Sequence, residues 1–201
     1  MKTPEQIKKE LDEYVIGHEK TKRSLSVAAY NHFKRMNGST IKKSNVLLIG
    51  PTGCGKTYLV SILARILGVS FLTSDATQFT SSGYQGRSVE ELITDLLGIC
   101  EGNEYKASKS IIYIDEIDKI KKKTNQDGGA DVNGLGVQQS LLKLLEGSDV
   151  PYISKHSQNG EYDRKMNTKD IMFICSGAFV GLESPSMTII ERSYVTLRGL
   201  S

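Results

Sequence analysis

Two short runs in this 201-residue chain hold residues whose types and spacing can do chemistry. The first is Gly50-Pro51-Thr52-Gly53-Cys54-Gly55-Lys56-Thr57, which fits G-x-x-x-x-G-K-[ST] at every fixed position. Glycines let successive backbone N–H groups curl around a phosphate oxygen without interference from a Cβ. A helix starting at the end of the loop adds free N–H groups and the positive end of its dipole. Lys56 can neutralise charge on β- and γ-phosphates, and the Thr57 hydroxyl can serve a magnesium ion. The second run is Ile111-Ile112-Tyr113-Ile114-Asp115-Glu116. Four apolar residues make a buried strand that delivers Asp115 to its carboxyl end, where it can bind Mg²⁺, largely through water. Glu116 is then placed to orient and polarise a water for in-line attack on a γ-phosphate. The second run alone is a weak signal, because apolar strands often end in acids, but paired with the first and about sixty residues downstream of it, it makes an ATP site with Mg²⁺ the sequence's main functional expectation.

The elements around these runs must position them. Asn45 to Ile49 reads as a buried strand leading into the glycine loop. Leu59, Ile62, Leu63, Ile66 and Leu67 then lie on one helical face, and Gly68 ends that helix. Upstream, Thr3-Pro4-Glu5-Gln6 carries a capping box, and Leu25, Ala28, Ala29, His32, Phe33 and Met36 make a second helical face stopped at Asn37-Gly38. Phe71 to Thr73 reads as a further strand, and Ser88 with Glu91 as a capping box opening the next helix. Asp118 is expected to act as a local cap. Lys119 to Gly134 reads as a loop, Val137 to Glu146 as a helix, Pro151 to Lys169 as an irregular stretch or hairpin, and Ile171 to Cys175 as a strand. Strands alternating with helices predict an α/β fold: a P-loop NTPase domain with a parallel sheet flanked by helices.

Composition narrows the classes. A net charge of +3, from 26 basic and 23 acidic residues, is too mild to argue for nucleic acid. No apolar run approaches the roughly 18 residues needed to span a bilayer. The charged start, Met1 to Glu13, has no signal-peptide or transit-peptide pattern. Cys54, Cys100 and Cys175 are odd in number and far apart, which predicts neither a zinc site nor a disulfide framework. A cytoplasmic, reducing location is the expectation.

In chain order, Tyr14-Val15-Ile16-Gly17, the loop Gly50 to Thr57, Gly83-Tyr84-Gln85-Gly86-Arg87, Tyr113 to Lys119, Gly136-Val137-Gln138-Gln139 and Phe173 to Phe179 resemble the large AAA+ domain of ClpX-type protein unfoldases. The HslU type is the second choice. The resemblance covers about residues 10–183, so the whole chain reads as one AAA+ large ATPase domain with a divergent or shortened end over 184–201. It implies ATP hydrolysis that drives unfolding and translocation of protein substrates by a homo-hexamer, or association with a full-length ring. It further implies that Val15 and Ile16 line the adenine pocket, although the residues alone fit plain core equally well. Tyr84, with Gly83 and Gly86, would form a pore loop that grips unfolded polypeptide, the alternative being an aromatic packed on its own domain. Ser176 would be a nucleotide-sensing residue, and Lys155-His156 part of a pore-entrance loop.

The sequence departs from the family at several places. Gln85 follows the pore-loop tyrosine where an aliphatic residue is usual, Cys54 replaces a serine, Ser154 replaces an arginine, and Ala130 and Leu135 replace charged residues. On this resemblance, no peptidase-docking loop, zinc-binding domain or small helical domain is expected within these residues. Ile189-Ile190-Glu191-Arg192 with Tyr194 to Leu197 reads either as a shortened arginine-finger segment plus a fifth strand or as an unrelated tail. Three functions follow: an unfoldase ATPase whose hydrolysis is weak or absent in this chain alone, a nucleotide-binding regulatory fragment without hydrolysis, or another P-loop ATPase such as a clamp-loader component.

Overall fold

The computed structural model describes residues 1–80, 87–120, 132–154, 157, 160–180 and 194–198, with the backbone alone at 132–133 and 194–198. The pore-loop residues Gly83, Tyr84 and Gly86, the entrance-loop pair Lys155-His156 and the finger candidate Arg192 lie outside the described residues.

The chain begins with α1 (Pro4–Asp12), whose capping box forms as the sequence predicts: the Gln6 amide donates to Thr3 Oγ1 and the Thr3 amide to Gln6 Oε1. After it come α2 (Glu19–Met36), β1 (Asn45–Ile49), α3 (Lys56–Leu67) and β2 (Phe71–Asp75). The next elements are α4 (Glu91–Ile99), α5 (Glu104–Ser108), β3 (Ile111–Asp115) and α6 (Val132–Glu146). A hairpin of β4 (Asp149–Tyr152) and β5 (Arg164–Asn167), then β6 (Met172–Gly177) and β7 (Tyr194–Arg198), complete the order.

Among the described residues, five strands form one parallel sheet in the order β2-β3-β6-β1-β7. Because all five run the same way, their carboxyl ends gather along one edge of the sheet. The chemistry-bearing residues that follow β1 and end β3 therefore meet there. The central strands β1, β3 and β6 are buried on both faces, as a parallel sheet covered by helices requires. Alternation along each strand sorts the side chains. Val46 and Leu48, Ile111 and Tyr113, and Met172 and Ile174 pack with α1, α2 and α3. Leu47, Ile112 and Ile114, and Phe173 and Cys175 pack on the other face with α4, α6 and the hairpin.

Two predicted details differ. Ser88 makes only half of its capping box: its amide donates to Glu91 Oε1 at 3.0 Å, while its hydroxyl pairs with Tyr162 Oη at 3.1 Å. The helix α6 starts at Val132 rather than Val137. Its first turn carries glycines, each costing about 1 kcal/mol relative to alanine. The buried side chains Val137, Leu141 and Leu144 beyond that turn offset the cost.

Candidate functional site

The glycine loop is anchored at its start, where the Gly50 amide donates to the Gly177 carbonyl at 3.2 Å and so ties the exit of β1 to the end of β6. Gly53 and Gly55 take φ of +81° and +85°, conformations that a side chain would strain. A Cβ at Gly50 would sit 3.3 Å from Cys54 Sγ, so the cysteine thiol fills the space under the loop. Gly55 leads into α3, and no side chain caps that helix. Its first-turn N–H groups have no intrahelical partner and remain available to an anion. Lys56 Nζ donates to the carbonyls of Gly50 and Pro51, both at 2.9 Å. The one cation of the loop is thus held over it by bonds that a phosphate oxygen could replace.

Facing the loop is the end of β3. Alternation places Asp115 on the same face as Tyr113, toward α3, where Thr57 occupies the first turn. Thr57 Oγ1 lies 3.4 Å from Asp115 Oδ2 and 3.3 Å from Tyr113 Oη. Tyr113 Oη lies 2.6 Å from Ser176 Oγ, and Ser176 Oγ donates to Asp115 Oδ1. The Glu116 amide donates to the same Oδ1 at 2.9 Å, and Glu116 adopts φ +56°, left-handed for a non-glycine residue. Strain of that kind costs of order 1–3 kcal/mol and clusters at functional sites. Burial, the largest influence, pushes the Tyr113 phenol up to about 12.

These groups border a cavity of about 300 Å³ lined by Thr52, Gly53, Gly55, Lys56, Thr57, Asp115, Glu116 and Asp118, with Lys119, Gly177 and Ala178. A larger cavity, about 560 Å³, lies at the far end of α3 among Tyr30, Phe33, Ile66, Leu67 and Tyr105, and holds none of these residues. The smaller cavity is where the chemistry converges. Of its oxygen donors, the Thr57 hydroxyl and the Asp115 carboxylate together suit a magnesium ion that keeps most of its water. No cluster of three or more His, Cys, Asp or Glu among the described residues would hold a metal without such help.

Other expected site residues fall elsewhere. Val15 is buried in the core beneath α1, α2 and α3, whereas Ile16 is 97% exposed, and neither lines the cavity. Ser176 is fully buried and reaches the cavity only through Asp115. Two participants were not anticipated. Tyr113 reads as one more core residue in an apolar run, yet its hydroxyl sits among Thr57, Asp115 and Ser176. Asp118 is no local cap: its Oδ2 accepts from the Phe179 amide at 3.1 Å, across to the exit of β6.

Residues 41–197 match the family model of the AAA domain, Cdc48 subfamily. The chain belongs to the AAA domain family. This AAA domain is similar to the ATP-dependent Clp protease ATP-binding subunit ClpX of Borrelia duttonii, with 48% identity over 203 aligned positions covering 96% of the chain and 47% of the relative. ClpX of Treponema denticola is 48% identical over 190 positions, covering 90% of the chain and 46% of the relative. ClpX 2 of Wolinella succinogenes is 47% identical over 188 positions, covering 90% and 47%. The AAA domain thus spans about half the length of the curated relatives it matches. The ClpX-type resemblance and the α/β parallel-sheet fold stand as the sequence indicated. No helix among the described residues is long and apolar enough to cross a membrane.

Proposed function

We propose that this chain is the large ATP-binding module of a ClpX-type chaperone ATPase, binding Mg²⁺-ATP in the cavity between the glycine loop and the end of β3. The observation that carries the reading is the meeting of Lys56, Thr57, Asp115 and Glu116 around one cavity at the carboxyl edge of the sheet. The loop from Gly50 to Gly55 and the uncapped start of α3 receive the phosphates. Lys56 exchanges its two carbonyl partners for phosphate oxygens. Thr57 and Asp115 hold the metal, which when bound spreads the charge of the β- and γ-phosphates. Glu116 orients the attacking water. Hydrolysis would drive unfolding of protein substrates in a ring, with Tyr84 gripping the polypeptide, Val15 and Ile16 meeting the base and Arg192 a candidate for the neighbouring site. The similarity to ClpX subunits supports this part of the reading.

The test is equilibrium binding of the fluorescent nucleotide mant-ATP to the whole chain. Binding should be lost in K56A and kept in E116Q, with any phosphate release abolished in E116Q. Binding that persists undiminished in K56A would overturn the reading.

A further inference from the structure

We propose that Tyr113 and Ser176 are positioning residues that set the Thr57 hydroxyl and the Asp115 carboxylate through a one-way chain of hydrogen bonds. The inference rests on reading the cavity as a Mg²⁺-nucleotide site, and deepens it.

Counting hydroxyl protons fixes the direction of the chain. An ionised carboxylate only accepts, so Ser176 Oγ donates to Asp115 Oδ1. A serine has one hydroxyl proton, so in the 2.6 Å contact between Ser176 Oγ and Tyr113 Oη the tyrosine is the donor. The tyrosine proton is then committed, and Thr57 Oγ1 must donate to Tyr113 Oη across 3.3 Å. The chain runs Thr57 to Tyr113 to Ser176 to Asp115. It starts and ends on the two residues that would meet the metal.

Two consequences follow for the cavity. Thr57 has a rival acceptor in Asp115 Oδ2 at 3.4 Å. By taking the threonine proton, Tyr113 leaves Oδ2 free to accept from metal-bound water. It also leaves the lone pairs of Thr57 Oγ1 available to the cation. Oδ1, meanwhile, is held from two sides, by Ser176 and by the Glu116 amide at 2.9 Å, which fixes the plane of the carboxylate. Both hydroxyls that make the relay are fully buried, Tyr113 and Ser176 each at 0% exposure. A phenol inside an otherwise aliphatic strand is costly unless its hydroxyl is partnered. Here both partners belong to the site, and the tyrosine is long enough to reach from mid-strand to the carboxyl edge.

Y113F removes one oxygen without changing the ring, and S176A interrupts the chain at its next link. Mg²⁺ is titrated against each variant at fixed mant-ATP, with parallel binding measured in EDTA. Groups that orient metal ligands typically matter by tenfold or more. The expected result is about a tenfold weaker apparent Mg²⁺ affinity in each variant, with unchanged binding in EDTA. The double variant should lose no more than the worse single one, because both break the same chain. Mg²⁺ titrations superimposing on the wild type would overturn the proposal, as would additive losses. Equal losses with and without Mg²⁺ would also overturn it, since the hydroxyls would then only support the fold. Mant-ATP binding by the wild type that is undiminished in K56A would remove the nucleotide reading and the relay with it.

Discussion

Gly177 closes β6 at a point where three segments meet. Its carbonyl receives the Gly50 amide, and in the sheet register it lies opposite Ile49. A Cβ there would come within 2.5 Å of Asp118 Oδ1 and 2.8 Å of Phe179 Cε2. Those neighbours cannot retreat easily, because Asp118 Oδ2 holds the Phe179 amide at 3.1 Å while Phe179 itself sits at φ +51°. G177A should therefore destabilise the protein by about 1–3 kcal/mol, the usual cost of overpacking, and weaken mant-ATP binding by shifting the anchor of the glycine loop. Gly98, within α4, is the control: nothing lies within 4 Å of its Cβ position and its φ is not positive. G98A should stabilise by up to about 1 kcal/mol through helix propensity. Urea unfolding of both variants checks the pair, and equal effects would sink the steric argument. The glycine loop and the acidic pair were legible because their neighbours in sequence are their neighbours in space. The partners of Asp118 and Ser176 were not legible for the opposite reason. They lie about sixty residues away, and only the sheet brings them together.

Periodicity made most elements legible. His32 fell on the apolar face of α2 in the sequence, and it is indeed buried, at 5% exposure. Its Nε2 has no hydrogen-bond partner, Arg35 and Lys43 lie near it, and Asp170 meets it through its backbone. Arg35 is also paired to the Asp170 carboxylate at 3.2 Å. Burial first, then the charges of Arg35 and Lys43, push the His32 pKa down to about 3. In the unfolded chain a histidine titrates near its ordinary value of about 6.5. Between those two values the unfolded state holds the extra proton, so stability falls as pH falls from about 6.5 towards 3. One proton taken up on unfolding corresponds to about 1.4 kcal/mol per pH unit. H32L, with no group to titrate, should lose stability less steeply between pH 6 and pH 4.5, by roughly that slope. Urea midpoints of the two proteins across this range measure it, and parallel curves would contradict it. Where periodicity failed, other contacts overrode it. Glycines near the start of α6 read as a break, but packing carries the helix through them. Ser88 read as a full capping box, but Tyr162 takes its hydroxyl.

At the scale of the molecule, the sequence pointed to a parallel sheet but not to its strand order. Nothing in a chain-order reading puts β6 between β3 and β1, yet that placement brings Ser176 and Gly177 into the site. The same placement bears on turnover. The cations lining the cavity are Lys56 and Lys119, and no arginine among the described residues lines it. In phosphoryl transfer an arginine at the γ-phosphate, often supplied by a neighbouring molecule, is worth about 10³–10⁵ in rate. Binding and orienting nucleotide need only groups that this chain already brings together. Stabilising the transferring phosphoryl group needs one more positive charge. The purified chain should therefore bind mant-ATP tightly while releasing phosphate very slowly as long as it is monomeric, and the rate per chain should rise only where chains associate. Phosphate release measured over a range of chain concentrations, with light scattering on the same samples, separates the cases. A fast rate that is independent of concentration in a monomer would mean that the chain supplies the missing charge itself, and R192A would then be the variant to slow it.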